Sequence, residues 1–343
     1  MQAKRPSPDV GLLGTVANVA FGSRRKLAGV TRLAGASKKG VYRAAFDDGF
    51  TAIIYIWDES EDYWPASEAR SHGDPFAHAS GLELFTSAHL RLSNLGVRAP
   101  TLYLADASRA HYPAEVALVE DLAGPSLEEL LHDDIDRAMV VVRQLGEALQ
   151  ALHSDRAPTM GKLLHVNQRG AAAPEQDELV ATHGCLAGAA SCEQIVLARA
   201  LADLAEASAR VAAISAASAR LEDSLRISAA DITPRTEFSL IHGELGPDHV
   251  LVDSRDRPVV IDIEGLMYFD VEWEDVFLRL RFGANYGPLQ APGLDPLRLE
   301  LYKLAMHLSL VAGPLRLLDG DFPDREPMMQ IVESNIAQAL SAP

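Results

Sequence analysis

The sequence predicts an α+β protein of two lobes, and three observations carry this prediction. The length of 343 residues corresponds to two domains at about 150 residues each. Segments rich in β-forming residues are concentrated between Leu27 and Val119, whereas helical patterns dominate after Gly124. The composition, 48% hydrophobic and 23% charged, is that of a folded globular chain. We therefore predict a small β-rich lobe over residues 1–122 and a larger helical lobe over residues 123–343.

Five segments of the first lobe have the composition of strands, and an acidic turn at Asp47-Asp48-Gly49 predicts a hairpin between the second and third. Apolar residues at helical spacing from Leu82 predict one helix that ends at Gly96. The sum is a five-stranded antiparallel sheet with one helix. The predicted strands are 29–33, 41–46, 51–57, 101–104 and 116–119.

The second lobe begins with a capping box, in which Ser126 caps the amide of Glu129. A strong amphipathic helix follows at 137–153, and the apolar spacing of 193–225 predicts a long helix with one packed seam, with a hairpin between it and a neighbouring helix left open. β-forming residues return at 238–263. Two further helices are predicted at 296–311, with Asp295 as its cap, and at 327–342.

Charge bears on the class of ligand. There are 31 Lys+Arg against 48 Asp+Glu, a formal net charge of −17. Binding of nucleic acid requires a concentrated basic surface, so this class of partner is disfavoured. An acidic surface permits a cationic ligand, although solubility is the commoner reason for such a charge.

Two further features bear on location. Cys185 and Cys192 belong to no Cys-x-x-Cys pair, so we predict buried thiols in a reducing cytoplasm rather than a disulfide framework. The apolar segment Val10–Phe21 is too short to span a bilayer, and Ser23-Arg24-Arg25-Lys26 after it is a poor cleavage pattern. We expect a first helix packed on the body and no membrane association, with secretion as the alternative.

The chemistry is concentrated in residues 238–265. An apolar strand leads to His242-Gly243-Glu244, a second strand follows His249, and a third leads to Asp262. Carboxylates held at the ends of buried strands suit a base beside a divalent metal, and Mg²⁺ prefers oxygen ligands. The alternative is that these residues are caps and turn residues.

These residues resemble the catalytic and metal-binding loops of the aminoglycoside phosphotransferase family, whose pattern is His-Gly-Asp, four residues, Asn or His, and then Ile-Asp-Trp/Phe-Glu. Segments 33–43, 119–124 and 270–275 resemble, in the family's order, its nucleotide loop, its hinge and its Asp-Pro-x-x-Asp segment. The resemblance spans about residues 27 to 283. It implies a bilobal protein-kinase-like fold with nucleotide in the cleft between the lobes.

The resemblance also implies roles for individual residues. Glu244 stands at the position of the catalytic base, and His249 and Asp262 stand at the two metal-ligand positions. Backbone groups of 120–122 would hold adenine, and Glu83 stands where the helix of the first lobe offers an ion-pairing carboxylate. The nucleotide-binding positions implied in this way are Gly35, Ser37, Lys39, Arg43, Glu83, Glu120 and Leu122.

Three departures from the family pattern concern activity. Glu244 replaces Asp, Tyr55 replaces the phosphate-binding Lys or Arg of the strand, and the nucleotide loop has few glycines. A tyrosine cannot neutralise a phosphate. Lys39, at the position where the with-no-lysine protein kinases supply a substitute lysine, and Arg43 are the candidate replacements. The alternative for Lys38 and Lys39 is a solvated turn.

Other polar and aromatic residues have less specific interpretations. Asp275 is expected to brace the catalytic loop, and Glu272 and Glu274 are expected as acidic residues of a helix start. Packing or surface positions are expected for three histidines without ligand spacing: His72, His78 and His89. Trp57, Tyr63 and Trp64 are expected to form a packed hydrophobic turn, with a lid over the nucleotide as the alternative.

The resemblance therefore implies an ATP- or GTP-dependent, Mg²⁺-dependent phosphotransferase. Its acceptor would be a hydroxyl of a small molecule, such as an antibiotic or another secondary metabolite, and the acidic charge permits that acceptor to be cationic. A catalytically weak or inactive kinase-fold binding protein is the alternative, because of Glu244 and Tyr55. We expect a cytoplasmic monomer or homodimer.

Overall fold

The computed structural model describes residues 8–64, 74–171 and 191–341. The chain forms two compact units, which we call unit 1 and unit 2. Their segments are Met1–Glu68, His78–Gln144 and Asp248–Glu264 for unit 1, and Ala69–Ala77, Leu145–Pro247 and Gly265–Pro343 for unit 2. Both units are discontinuous in sequence, unlike the predicted lobes, and the lobe boundary at residue 122 stays a prediction.

Unit 1 contains the predicted five-stranded antiparallel sheet. Its strands are β1 (Leu27–Arg32), β2 (Gly40–Phe46), β3 (Thr51–Trp57), β4 (Leu102–Asp106) and β5 (Glu115–Glu120). Their spatial order is β1-β2-β3-β5-β4, and every neighbouring pair is antiparallel. The strand predictions are confirmed, with boundaries that agree to within two residues.

Helices cover both faces of this sheet. Successive residues of β3 contact different helices, because alternate side chains of a strand point to opposite sides. On one face, Ile54 joins a core cluster with Leu13 and Val16 of α1 (Val10–Phe21). On the other face, Tyr55 packs edge-on against Phe85 of α2 (Leu82–Asn94). The predicted first helix packed on the body is therefore confirmed.

A two-stranded hairpin completes unit 1 and positions the site. The segment after β5 continues into α3 (Leu127–Asp133), capped by the predicted Ser126–Glu129 box, and α4 (Ile135–Ser154), which has residues in both units. The hairpin strands are β9 (Val250–Val252) and β10 (Pro258–Val260). Val252 donates its amide to the carbonyl of Pro125 at 2.9 Å. Gly124 lies so close that a Cβ there would be 1.8 Å from the carbonyl oxygen of Val252.

Unit 2 contains a four-stranded sheet of very short strands, with the order β6-β8-β11-β7. Its strands are β6 (Arg156–Ala157), β7 (Gly161–Lys162), β8 (Phe238–Ile241) and β11 (Met267–Phe269). The β-forming residues at 238–263 predicted β8 and the hairpin β9–β10. No local pattern predicted β6, β7 and β11, each of which has two or three residues and pairs with a segment far away in the chain.

The helices of unit 2 correct two predictions. The predicted long helix at 193–225 is wrong: two helices pack against each other, separated at Val211, whose backbone is extended. The helix predicted to end at residue 311 continues to Asp319 through Pro314, because Leu317 and Leu318 beyond the proline are buried. The helices are α5 (Leu163–Ala171), α6 (Cys192–Arg210), α7 (Ala212–Ala230), α8 (Val271–Phe282), α9 (Pro296–Asp319) and α10 (Arg325–Leu340).

Two sequence expectations concern thiols and membranes. Cys192 is a buried free cysteine, and burial raises the pKa of its thiol well above the ordinary value. Cys185 lies outside the described residues. Within the described part of the chain, no helix combines the length and apolar character needed to cross a membrane.

The contact between α9 and α10 includes a buried histidine that makes stability depend on pH. The Nδ1 atom of His307 lies 2.8 Å from Oδ1 of Asn335, and burial lowers the pKa of His307 below its ordinary value. Below about pH 6.5 the imidazole of His307 is protonated in the unfolded chain but still neutral in the folded chain. The free energy of unfolding therefore falls as the pH drops. We expect His307→Gln to flatten this dependence between about pH 7.5 and pH 5.5.

Urea unfolding at several pH values measures this effect. His132→Gln is the matched control, since the side chain of His132 is 90% exposed. An unchanged pH slope in the His307 variant would show that this histidine does not carry the dependence.

Candidate active site

The predicted metal ligands of unit 1 lie together at the end of the hairpin. The amide of Ile261 donates to the carbonyl of His249 at 3.0 Å, which holds the chain after β10 beside the chain before β9. Asp262 then adopts a φ of +58°, a left-handed conformation that is rare outside glycine. Such strained positions are concentrated at functional sites. As a result Oδ2 of Asp262 lies 3.9 Å from Nε2 of His249.

A buried lysine is bound to this aspartate. Nζ of Lys39 donates to Oδ1 of Asp262 at 2.9 Å and to Oε1 of Glu264 at 2.6 Å, and it lies 5.1 Å from the centroid of the Tyr55 ring. Lys39 is only 6% exposed. The solvated-turn alternative is therefore wrong for Lys39, which lies inside the site.

The charges in this group stabilise one another. Burial alone would lower the pKa of Lys39, but the carboxylates of Asp262 and Glu264 hold it above the ordinary value. Burial alone would raise the pKa of Asp262, but Lys39 and His249 hold it well below its usual range. Burial raises the pKa of Tyr55 to about 12, so its hydroxyl stays neutral. The site thus holds a charged lysine beside a charged aspartate at neutral pH.

The nucleotide-loop segment between β1 and β2 is held by side chains and backbone rather than by glycines. Nε1 of Trp64 donates to Oγ of Ser37 at 3.1 Å, and the amide of Tyr63 donates to the carbonyl of Ser37 at 2.9 Å. Oγ of Ser80 donates to the carbonyl of Lys38 at 2.8 Å. Gly35, with a φ of +92°, is the glycine that the loop requires for its backbone.

The aromatic and histidine residues near this loop are packed, as the sequence predicts. Trp57 is buried against Phe85, and the Trp64 ring lies 6.4 Å from that of His78. His78 is hydrogen-bonded to Oδ2 of Asp62 at 2.6 Å, and His89 is hydrogen-bonded to the carbonyl of Pro100 at 2.8 Å. His72 lies outside the described residues.

Gly40, the residue after Lys39, has no room for a side chain. A Cβ on Gly40 would lie 2.7 Å from Cδ of Glu61 and 2.7 Å from the Tyr42 ring. Glu61 cannot move aside easily, since it is buried and bound to Arg32 and to the Tyr42 hydroxyl.

We expect Gly40→Ala to destabilise unit 1 by about 1–3 kcal/mol, the usual cost of overpacking, because this network must shift to admit the methyl group. Urea unfolding measures the change. Gly29→Ala is the control, since a Cβ on Gly29 meets nothing within 4 Å. Equal stabilities of the two variants would contradict the packing argument.

The other predicted nucleotide-binding positions lie elsewhere in unit 1. Arg43 is exposed on β2 and donates to the carboxylate of Asp121 at 2.8 and 3.1 Å. Glu83 is exposed in the first turn of α2. The carboxylate of Glu120 accepts hydrogen bonds from Arg98 and from Thr101, while Leu122 is partly exposed. Their nucleotide-binding roles stay predictions.

The predicted catalytic base follows a tightly held turn in unit 2. The amides of His242 and Gly243 donate to Oε1 of Glu274 at 2.7 and 3.1 Å, and His153 is hydrogen-bonded to the other oxygen. Gly243 has a φ of +87°, and a Cβ there would lie 3.0 Å from Cε of Met267. Glu244, the next residue, is exposed. Burial alone would raise the pKa of Glu274, but His153 and the amides hold it below the ordinary value.

Glu274 therefore corrects the expectation that Asp275 braces the catalytic loop. Asp275 instead accepts hydrogen bonds from Arg279, at 2.6 Å, and from the Tyr286 hydroxyl. Adjacent residues of a helix point about 100° apart, so only one of two neighbouring carboxylates can face β8. Glu274 is fully buried rather than a solvated charge of the helix start. No local pattern in the sequence separates the two carboxylates, because Glu274 and Asp275 both lie between the apolar residues Trp273 and Val276.

Glu272 also has a structural partner that the sequence did not predict. Its carboxylate accepts two hydrogen bonds from Arg235, both at 2.6 Å, and one from the amide of Asp295 at 2.8 Å. Asp270 is buried with Arg298 and accepts a hydrogen bond from Tyr302 at 2.5 Å. These bonds fix the start of α8 and hence the position of Glu274.

The donor set around Asp262 suits a magnesium ion that arrives with a nucleotide. Among the described residues, no group of three or more His, Cys, Asp or Glu side chains is arranged to hold a metal alone. Mg²⁺ is usually bound by one or two carboxylates, water and substrate phosphates. Asp262 supplies one carboxylate, and Oε2 of Glu264 is buried without a hydrogen-bond partner among those residues. The residues present therefore fit the ion.

The loop after β8 and the Asp262 turn carry the residues that resemble the catalytic and metal-binding loops of kinase-like phosphotransferases. The sequence matches the phosphotransferase enzyme family over residues 69–296, more than half of the chain. The chain therefore belongs to the phosphotransferase enzyme family, a family of small-molecule kinases.

Solved structures with low sequence identity share the fold. Spectinomycin phosphotransferase APH(9)-Ia, in complex with ADP and spectinomycin, has a TM-score of 0.63 and 13% identity, covering 98% of this chain and 99% of that chain. A thermostable mutant of aminoglycoside phosphotransferase APH(4)-Ia has a TM-score of 0.59 and 14% identity, covering 97% and 100%. LicA in complex with AMP has a TM-score of 0.55 and 12% identity, covering 97% and 100%. The protein-kinase-like fold predicted from the sequence is confirmed.

A search of curated proteins found no match.

Proposed function

We propose that this chain transfers the terminal phosphoryl group of ATP or GTP to a hydroxyl of a small molecule, with Mg²⁺ as the metal. The observation that supports this proposal most is the buried ion pair of Lys39 with Asp262. It puts a cation beside the proposed metal ligand although Tyr55 occupies the strand position of the usual lysine. Phosphoryl transfer depends on positioning and on charge neutralisation, and this pair supplies both.

Each proposed role follows from the chemistry of the side chain. Glu244, exposed after the held turn, would orient the acceptor hydroxyl and take its proton. Asp262 and His249 would hold Mg²⁺, and Lys39 would bind the phosphates. When bound, the metal neutralises charge on the transferring phosphoryl group. Backbone groups of 120–122 would hold the base.

The glutamate at the base position requires a shift of the acceptor. A glutamate carboxylate extends roughly 1.5 Å further than that of an aspartate, by ordinary bond lengths. Glu274 fixes the preceding backbone, so the loop cannot retract easily. A misplacement of about 1 Å can cost about a hundredfold in rate, so we propose an acceptor whose hydroxyl lies correspondingly further from the loop.

The acceptor is proposed to be a cationic antibiotic or a similar secondary metabolite. The net charge of −17 permits this class, and it is supported by similar structures that contain spectinomycin or hygromycin B. We propose a cytoplasmic monomer or homodimer, and the buried free thiol of Cys192 is consistent with a reducing compartment.

A second candidate is a kinase-fold protein that binds ligands without turnover, which Glu244 and Tyr55 favour. A thermal-shift assay with ATP and GTP, with and without Mg²⁺, followed by a nucleotide-hydrolysis assay, distinguishes the candidates. A ligand at about 100 times its Kd stabilises the folded state by about 2.7 kcal/mol. We expect a shift that increases with Mg²⁺, together with hydrolysis. A shift without turnover would favour the second candidate, and the absence of both would contradict the enzyme.

A further inference from the structure

The strand position of the usual phosphate-binding lysine holds an aromatic ring that faces a lysine from elsewhere. Tyr55 lies on β3 opposite Val41 of β2, and Lys39 lies just before β2. The Tyr55 ring packs against Trp57 and Phe85, and its buried face lies 5.1 Å from Nζ of Lys39. An ammonium near an aromatic face is attracted to it. Tyr55 therefore forms one wall of the lysine position.

The second wall consists of two carboxylates with different exposure. Asp262 is partly exposed, whereas Glu264 is only 4% exposed, and its Oε1 lies 2.6 Å from Nζ of Lys39. If Asp262 binds a metal, its charge is shared with that metal. Glu264 is then the carboxylate that continues to compensate the buried ammonium, which would be very costly to bury alone.

Lys39 keeps one donor for a ligand. An ammonium has three N–H donors, and among the described residues two of them are used, on Asp262 and Glu264. Its flexible side chain is fixed in advance, so less conformational entropy is lost when phosphate binds. The other predicted partners lie elsewhere: Glu83 is exposed on α2, and Arg43 is bound to Asp121.

We propose that Glu264 is the positioning residue that holds Lys39 for the nucleotide phosphates. This proposal rests on the proposed function. The ion pair of Lys39 with Glu264 replaces the ion pair that a lysine at the position of Tyr55 on β3 would form. Glu264 acts through Lys39 and does not itself contact the phosphates. Its second oxygen, Oε2, is buried without a partner among the described residues, so a role at the metal is the competing explanation that the test must separate.

The test measures affinities for ATP and for adenosine by calorimetry, in EDTA and in Mg²⁺. The variants are Lys39→Met, Glu264→Gln and the double variant. In EDTA we expect both single variants to weaken ATP binding by about 10- to 100-fold, the effect of one hydrogen bond to a charged group, and to leave adenosine binding unchanged. The double variant should bind ATP no more weakly than Lys39→Met, because Glu264 acts only through the lysine. It also removes both charges together, so it guards against misfolding of a single variant.

Arg25→Gln is the matched control. Arg25 lies just before β1 in the same unit and is paired at 2.7 Å with Asp48, which lies at the turn between β2 and β3. Its replacement should not change the affinity for either ligand. An effect of Glu264→Gln that is confined to Mg²⁺ and persists in the Lys39→Met background would overturn the proposal in favour of a metal role. Unchanged ATP affinity in Glu264→Gln would also overturn it. If the wild-type chain binds ATP and transfers phosphate, and Glu264→Gln has the same ATP affinity, only the role of Glu264 is refuted. If the wild-type chain binds no ATP, the proposed function itself is refuted.

Discussion

Glu244→Gln is expected to slow phosphoryl transfer by about 100- to 10,000-fold, the usual contribution of a general base, while the affinity for Mg-ATP stays unchanged. The amide has the same shape as the carboxylate but cannot take a proton from the acceptor. The preceding amides stay bound to Glu274, so the loop keeps its conformation. The measurement is kcat for transfer, together with the Kd of Mg-ATP.

The control for this variant is Glu237→Gln, just before β8 in the same unit. Glu237 is 59% exposed, and its carboxylate is paired with Arg156 at 2.9 Å. Its removal should leave kcat unchanged. Full activity of Glu244→Gln would show that another group takes the proton.

Glu274→Ala is expected to destabilise unit 2 by about 3–5 kcal/mol, because it leaves two buried backbone amides and His153 without their shared carboxylate. Urea unfolding measures this loss. The milder Glu274→Gln keeps one acceptor oxygen and should remain folded. In that variant we expect kcat to fall while KM for ATP changes little, since a neutral amide oxygen holds the backbone before Glu244 more weakly than the carboxylate does.

Asp275→Asn is the comparison that separates the two neighbouring carboxylates. Asp275 is also buried, but its partners are Arg279 and Tyr286 rather than the catalytic loop. We expect a loss of stability with little change in kcat. A larger loss of kcat in Asp275→Asn than in Glu274→Gln would restore Asp275 as the brace.

These two carboxylates show how far the sequence predicts the site. Collinear motifs placed Glu244, His249 and Asp262 on the loops where the structure has them, because such loops follow strands with strong apolar signals. Which of Glu274 and Asp275 faces β8 depends on the rotation of α8. That rotation is set by contacts of Asp270 and Glu272 with distant arginines, which no local pattern records.

Lys39 and the helix break at Val211 also depend on contacts with other segments of the chain, which the local sequence does not show. Lys39 belongs to a polar turn, so its composition indicated exposure, and only the approach of Glu264 from more than 200 residues away makes it buried. The apolar spacing of 193–225 continues through Val211, and the break there comes from the packing of α6 against α7. The five strands of unit 1, in contrast, were predicted from local composition and turn residues.

We propose that Lys39 and Asp262 form the phosphate and metal site of an active kinase. A crystal structure of the wild-type chain with a non-hydrolysable ATP analogue and Mg²⁺ tests it most directly. We expect Mg²⁺ bound to Asp262 and a phosphate oxygen within about 3 Å of Nζ of Lys39, with the contact to Oε1 of Glu264 retained. A triphosphate bound out of reach of Lys39, or a metal that does not contact Asp262, would contradict it.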